Sequence, residues 1–279
     1  MKFSAYGFLK NLRFFDPFLV LFFLEKGISY LEIGGLYAIR EIAVNFLEIP
    51  TGAVADALGR RRTMIASFVS YLISFGIFWA GGTVPAFVLA MLLFSFGEAF
   101  RTGTHKAMIF THLRLTGNER FKADYYGHTR GWSQIGSAVS AAIAAAIVFT
   151  SGNYKSVFLF STIPYVADLA LMLTYPRELD GVRKDLKWSA IGSTFRELFA
   201  SLIDTFRRPN AIKVVASASY YSGFYKGTKD FLQPLVAALA LSLPWAMGLV
   251  PEKREALLIG AVYTILYALT AVASRSAGT

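Results

Sequence analysis

No cysteine occurs among the 279 residues, which excludes a disulfide framework, a thiolate nucleophile and a Cys-ligated zinc. Charge is also scarce: 16% of the residues are Asp, Glu, Lys or Arg, where soluble domains carry roughly a quarter. Acid is the scarcer sign, with 18 Asp+Glu against 28 Lys+Arg. Neither His-Glu-x-x-His nor Gly-x-Ser-x-Gly occurs, and His105 and His112 stand two helical turns apart, too far to share a metal. These gaps argue against an enzyme and imply no metal or cofactor. What is abundant is apolar: 55% of residues are hydrophobic and 25 are Phe. The solvent such a chain is built for is lipid.

About 20 apolar residues cross roughly 30 Å of hydrocarbon. On that measure eight segments are predicted to span: 4–24, 31–51, 62–81, 85–112, 127–149, 156–176, 212–241 and 256–275. The first contains Lys10, Arg13 and Asp16 and lacks a small-residue cleavage site, so it is not a signal peptide. Connections on one side hold sixteen basic residues: Lys2, Arg60, Arg61, Arg62, Arg114, Arg120, Lys122, Arg177, Arg183, Lys184, Lys187, Arg196, Arg207, Arg208, Lys213 and Arg275. The other side holds four, Lys26, Lys155, Lys253 and Arg254. The positive-inside rule therefore places both termini in the cytoplasm. The net charge of +10 is a topology signal, and nucleic acid is not the expected partner.

Between spans six and seven, Trp188, Ile191, Phe195, Leu198, Phe199, Leu202 and Phe206 recur at helical spacing with bases among them. This pattern predicts an amphipathic helix on the cytoplasmic leaflet. It divides a six-helix bundle (1–176) from a connection (177–211) and two further spans (212–279). The two halves share a faint repeat. At an offset of 216, Gly7, Phe8, Lys10, Arg13 and Phe15 align with Gly223, Phe224, Lys226, Lys229 and Phe231, and Pro234 follows one residue late after Pro17.

The most specific motif runs from Glu48 through Pro50, Gly52, Asp56 and Gly59 to Arg60-Arg61-Arg62. Two glycines suit a tight helix-to-helix turn, Asp56 can accept from backbone donors or a base, and the arginines hold the turn at an anionic leaflet. This stretch resembles the Gly-x-x-x-Asp-x-x-Gly-Arg-Arg signature of the major facilitator superfamily. The resemblance implies an all-α polytopic fold and a conformational latch at Gly52, Asp56, Gly59 and Arg60. Two features depart from the family pattern. Arg101 is followed by Gly103 rather than by a glycine three residues on, and span five lacks the antiporter run of Gly-Pro-x-x-x-Gly type.

A charge facing lipid at the bilayer centre costs about 2.5–3.5 kcal/mol on translocon scales. Arg13, Asp16, Arg40, Glu41, Glu98 and Arg101 all sit near the middle of spans, so they are expected to face an aqueous cavity. At 100° per residue, Glu98, Arg101, His105 and His112 share one arc, Lys10, Arg13 and Pro17 a second, and Lys226, Lys229, Asp230 and Gln233 a third. The resemblance makes these three helices the cavity lining. The predicted substrate cavity is therefore Arg13, Asp16, Arg40, Glu41, Glu98, Arg101, His105, Lys226, Lys229 and Asp230. Arg13–Asp16 and Glu98–Arg101, each three residues apart, are the alternative: pairs that only neutralise each other. Glu98, Glu41 and Asp168 are the candidates for proton coupling, because burial can raise a carboxylate pKa. Ser133, Gly136, Ser137, Ser140, Ala141 and Ala144–146 give span five a small-residue face for close packing.

The expectation is a secondary transporter of a small solute, polar or anionic by the cavity's mild basic bias, in a bacterial-type inner membrane. The repeat implies twelve spans, so eight predict an incomplete transporter. The rival is a membrane protein that acts only through association with other subunits.

Overall fold

The computed structural model describes residues 2–181, 188–244 and 246–276. Arg183, Lys184, Lys187 and residues 277–279 lie outside them, as do the side chains of Trp188, Phe199, Leu202 and Arg275. Every regular element in the described residues is helical. The α-helices are α1 (Lys2–Leu9), α2 (Leu19–Glu25), α3 (Tyr30–Leu58), α4 (Arg60–Ala80), α5 (Val84–Leu115), α6 (Lys122–Ser151), α7 (Ser156–Leu173), α8 (Trp188–Phe206), α9 (Pro209–Ser242) and α10 (Pro251–Ser276).

Local chemistry explains several boundaries. Ser29 and Glu32 form a reciprocal capping box at the start of α3: Ser29 N–H donates to Glu32 Oε2 at 2.8 Å, and Glu32 N–H donates to Ser29 Oγ at 3.4 Å. Helix α6 ends at Gly152, whose left-handed φ of 67° lets its N–H reach the Val148 carbonyl at 2.8 Å.

Two predicted elements differ in the structure. The first span is not one helix. Helix α1 stops at Leu9, a non-helical stretch follows, and a short 3-10 turn at Asp16–Phe18 leads into α2. Asn11 turns its amide back onto the Gly7 carbonyl at 2.6 Å, and Pro17 has no N–H for a helical ladder. The arc drawn through Lys10, Arg13 and Pro17 on a continuous helix is therefore wrong. The predicted turn after span two is also shorter than expected: α3 runs through Pro50 and Gly52 to Leu58, and Gly59 alone separates it from α4.

Among the described residues, five helical stretches are long and apolar enough to cross a membrane: Arg60–Ala80, Val84–Leu115, Glu119–Ser151, Ser156–Leu173 and Pro251–Ala273. Helices α3 and α9, with 29 and 34 residues, have the length but carry several charges, and the first segment is broken. Eight spans were expected, so three of them miss the apolarity or continuity criterion.

Helix α4 packs on α5 and α7, α3 on α5, and α1 on α6. A core of rings closes the end of the bundle away from Gly59. Phe22 and Phe78 lie 4.7 and 4.8 Å from Phe158, and Phe75 lies 4.8 Å from Tyr165. The small-residue face of α6 does pack closely: a Cβ added at Gly136 would sit 2.5 Å from the Phe8 carbonyl oxygen of α1. Helix α10 packs against α6 and against α9.

The last two helices meet the first seven unevenly. Gln233, wholly buried on α9, donates to the Asp16 carbonyl at 2.8 Å and accepts from Val20 N–H at 2.9 Å. Tyr154, between α6 and α7, donates to Glu255 of α10. Burial and then the Glu255 carboxylate push the Tyr154 phenol far above its ordinary pKa, so it remains a donor. Towards the Gly59 end the first half of α9 stands away, with Val214, Tyr220, Tyr221 and Phe224 exposed. The repeat partners accordingly differ. Gly7 lies against Ser133 and Thr129 of α6, whereas a Cβ at Gly223 would meet nothing.

Candidate functional site: a charged cavity between the halves

The break after α1 places Arg13 where its guanidinium reaches Glu98 on α5. Glu98 is shared. Its Oε1 accepts from Arg13 and from Tyr71 of α4 at 2.9 Å, and its Oε2 accepts from Arg101 at 2.7 Å. Arg101 Nε donates to the Tyr71 hydroxyl at 3.1 Å, which closes the network. Tyr71 is wholly buried, and its ring lies so close to Gly97 that an added Cβ would stand 2.8 Å away. Glu98 and Arg101 thus neutralise each other in part, as their spacing allowed. Arg13 takes Glu98 as its partner in place of Asp16, because the broken backbone points it across to α5.

A second set bridges α3 and α9. Glu41 accepts from its neighbour Arg40 at 3.1 Å and from Lys226 at 2.7 Å. Arg40 also lies over the Tyr37 ring, 4.6 Å from its centroid. Lys229 lies over Tyr267 of α10 at 5.6 Å, and its carbonyl accepts from the Tyr263 hydroxyl at 2.6 Å.

Between these sets lies a cavity of about 370 Å³. Arg13, Asp16, Arg40, Glu41, Glu98, Lys226, Lys229 and Asp230 line it, with Val44, Phe94 and Tyr225 as apolar and aromatic wall. Eight of the ten predicted cavity residues are therefore brought together. Arg101 and His105 are not among them; they line a separate cavity of about 260 Å³ between α1, α5 and α6. The single arc predicted on span four is split because Glu98 turns to Arg13 on one side while Arg101 continues down the other. His112 lies apart from both, its ring 5.4 Å from Phe3. Gln233 leaves the predicted α9 arc to bond the first segment. Asp168 is wholly buried on α7, and neither of its carboxylate oxygens has a hydrogen-bond partner among the described groups.

At the predicted latch, Asp56 accepts from Arg60 at 3.2 Å, and Arg60 also donates to Thr111 Oγ1 on α5 at 2.7 Å. Gly59 adopts φ 97°, ψ 132°, a region that side chains other than glycine's avoid. Asp180, after α7, accepts from Arg61 N–H at 2.8 Å and so satisfies the start of α4. Gly52 is helical, and a Cβ there would meet nothing within 4 Å, so close packing is not its role in this arrangement. Sequence reasoning missed Tyr71 and Asp180. Nothing local marks Tyr71 in its apolar span, and Asp180 lies 119 residues from its acceptor role at Arg61.

The sequence profile of the Major Facilitator Superfamily matches residues 6–279. The chain belongs to that family and is a multi-pass membrane protein. A relative described as the uncharacterized MFS-type transporter YxaM of Bacillus subtilis (strain 168) is 21% identical over 252 residues, covering 86% of this chain and 59% of the relative. Among solved structures, the nucleoside transporter NupG superposes with a TM-score of 0.74 at 16% identity, over 96% of this chain and 65% of its own. A peptide transporter of POT type, solved with alafosfalin, gives 0.57 at 15% identity, over 97% and 66%. The chain thus spans 59% of the YxaM sequence and 65% of the NupG chain. At such identities the solved structures establish the shared fold alone.

Proposed function

We propose that this chain handles a small polar or anionic solute as part of an alternating-access secondary transporter, with the 370 Å³ cavity as the binding site. The observation that carries the proposal is the position of that cavity. Its charges come from the broken first segment, α3, α5 and α9, so solute contact and relative movement of the two halves act on the same side chains. The halves touch through the packing of α6 on α10, through Gln233, Tyr154–Glu255 and Glu41–Lys226, while the first half of α9 stands away towards Gly59. With both termini cytoplasmic, as the basic residues imply, this arrangement opens to the cytoplasm. Gly52, Asp56, Gly59 and Arg60 then act at the moving end as a latch.

Coupling to protons falls to Asp168 in this proposal. Glu98 is held by two guanidiniums and Glu41 by Arg40 and Lys226, whereas Asp168 lacks a hydrogen-bond partner among the described groups. Lys10, Arg101, Tyr6 and Tyr175 are the titratable groups that feel its charge. The structural neighbours named for nucleosides and for peptides share only the fold, so the cavity itself is the guide to substrate class.

The test is solute-dependent protection in detergent, followed by uptake into proteoliposomes, across a panel of polar and anionic solutes. Lys226→Gln and Lys229→Gln are expected to abolish the response to the solute that the parent binds. Asp168→Asn is expected to retain binding and lose the pH dependence of uptake. Binding without any flux would favour action through other subunits. A response untouched by both lysine variants refutes the site.

A further inference from the structure

The second cavity, of about 260 Å³, has a composition unlike the first. It is lined by Lys10, Arg101, His105, Lys106 and Arg130, and none of its lining residues is acidic. Among the described residues, Lys10, Lys106 and Arg130 form no ion pair within 4 Å, and the two carboxylates whose charge reaches Lys10, Glu98 and Asp168, stand outside the lining. Arg101 is neutralised by Glu98, and Lys106 lies over the rings of Phe110 and Tyr126 at 5.7 and 5.3 Å. On the wall, the buried His105 Nε2 lacks a partner, and the buried Tyr6 hydroxyl has only the Arg101 guanidinium, itself a donor, beside it, so its own proton is free to donate. Their rings are stacked with centroids 3.6 Å apart.

Cationic groups gathered in a cleft with low-dielectric walls focus a positive field and repel one another until an anion enters. Unsatisfied buried polar atoms in the same wall cost free energy that a ligand with several acceptor oxygens recovers. We infer that this cavity binds a phosphate group, with Lys10 and Arg130 supplying charge and Tyr6 and His105 supplying hydrogen bonds. The cavity is roomier than a bare tetrahedral oxyanion needs, so the group is either free phosphate or the head of a phosphate monoester beside Tyr126. The Arg13–Glu98–Arg101 network separates this site from the cavity between the halves. The inference does not depend on transport, because its readout is binding.

The test is calorimetric titration of the purified full chain in detergent with inorganic phosphate and with phenyl phosphate, at constant ionic strength set by chloride. Saturable binding is expected, weakened at least about tenfold by Lys10→Gln and by Arg130→Gln, since each removes a charge-assisted bond. Lys213→Gln, an exposed charge on α9, should leave it unchanged. Phenyl phosphate binding about tenfold tighter than phosphate identifies a monoester site, and equal affinities identify free phosphate. Should Lys10→Gln fail to elute as a monodisperse species, Arg130→Gln on the exposed rim decides. Absence of saturable binding overturns the inference. So does binding that survives both variants, or that is lost only in Lys229→Gln.

Discussion

Glu98 is the residue on which the interior charges balance. One carboxylate accepts from two guanidiniums and a buried phenol, so the low-dielectric environment that would penalise each ion alone favours the set together. Glu98→Gln leaves Arg13 and Arg101 facing each other with one neutral acceptor between them. It is expected to lower the unfolding free energy by about 3 kcal/mol, read from denaturant unfolding in detergent. Tyr71→Phe removes one donor and one acceptor and is expected to cost about 1–2 kcal/mol in the same assay. If Glu98→Gln proved milder than Tyr71→Phe, the shared-carboxylate account would be wrong. The residue types here were legible from the sequence as buried charges in need of partners. The partner choice was not, because Arg13 pairs across 85 residues and only after the helix breaks.

Among the elements, the joint between α3 and α4 is held by one backbone conformation and one distant carboxylate. Any side chain at Gly59 would be forced into φ 97°, and its Cβ would sit 3.1 Å from Asp180 Oδ2. Gly59→Ala is therefore expected to lower stability by about 1–3 kcal/mol, measured as a fall in thermal midpoint. Asp180→Ala leaves the Arg61 N–H without its acceptor and should cost about 1 kcal/mol in the same measurement. The close approach of α1 and α6 is equally specific. Gly136→Leu would push the Phe8 carbonyl away and is expected to destabilise by about 1–3 kcal/mol through overpacking. The small residues of α6 and the glycine of the joint were both visible as motifs. The length of α3 was not, since Pro50 and Gly52 read as the start of a turn and are carried within the helix by packing on α5.

For the whole molecule, the distribution of contacts between the halves defines the arrangement. The absence of native cysteine makes this directly measurable: Tyr154→Cys with Glu255→Cys introduces a thiol pair on an otherwise thiol-free chain. A short bifunctional thiol reagent is expected to join the pair nearly completely, whereas Tyr221→Cys with Gly52→Cys should remain unjoined. Equal cross-linking of both pairs would contradict an arrangement open towards Gly59. Glu41–Lys226 crosses between the halves where both side chains are partly exposed, at 38% and 60%. A double-mutant cycle on it should therefore return no more than about 1 kcal/mol. A weak pair at that place suits the parting of the halves proposed above.

The sequence by itself determined the helical membrane class, the family through the motif ending at Arg60-Arg61-Arg62, and that the charges within the spans need partners. These follow from local composition and from the cost of ions in lipid, both of which are properties of short stretches. Only the tertiary structure decided that Arg13 belongs to Glu98, that Asp180 satisfies the start of α4, and that the predicted ten-residue site divides into two cavities of different character. Each of these depends on where the first helix breaks and how it packs on α5 and α6. A helical angle computed along an unbroken segment carries no information about that break. The pairing of distant charges is settled by side-chain reach across packed helices.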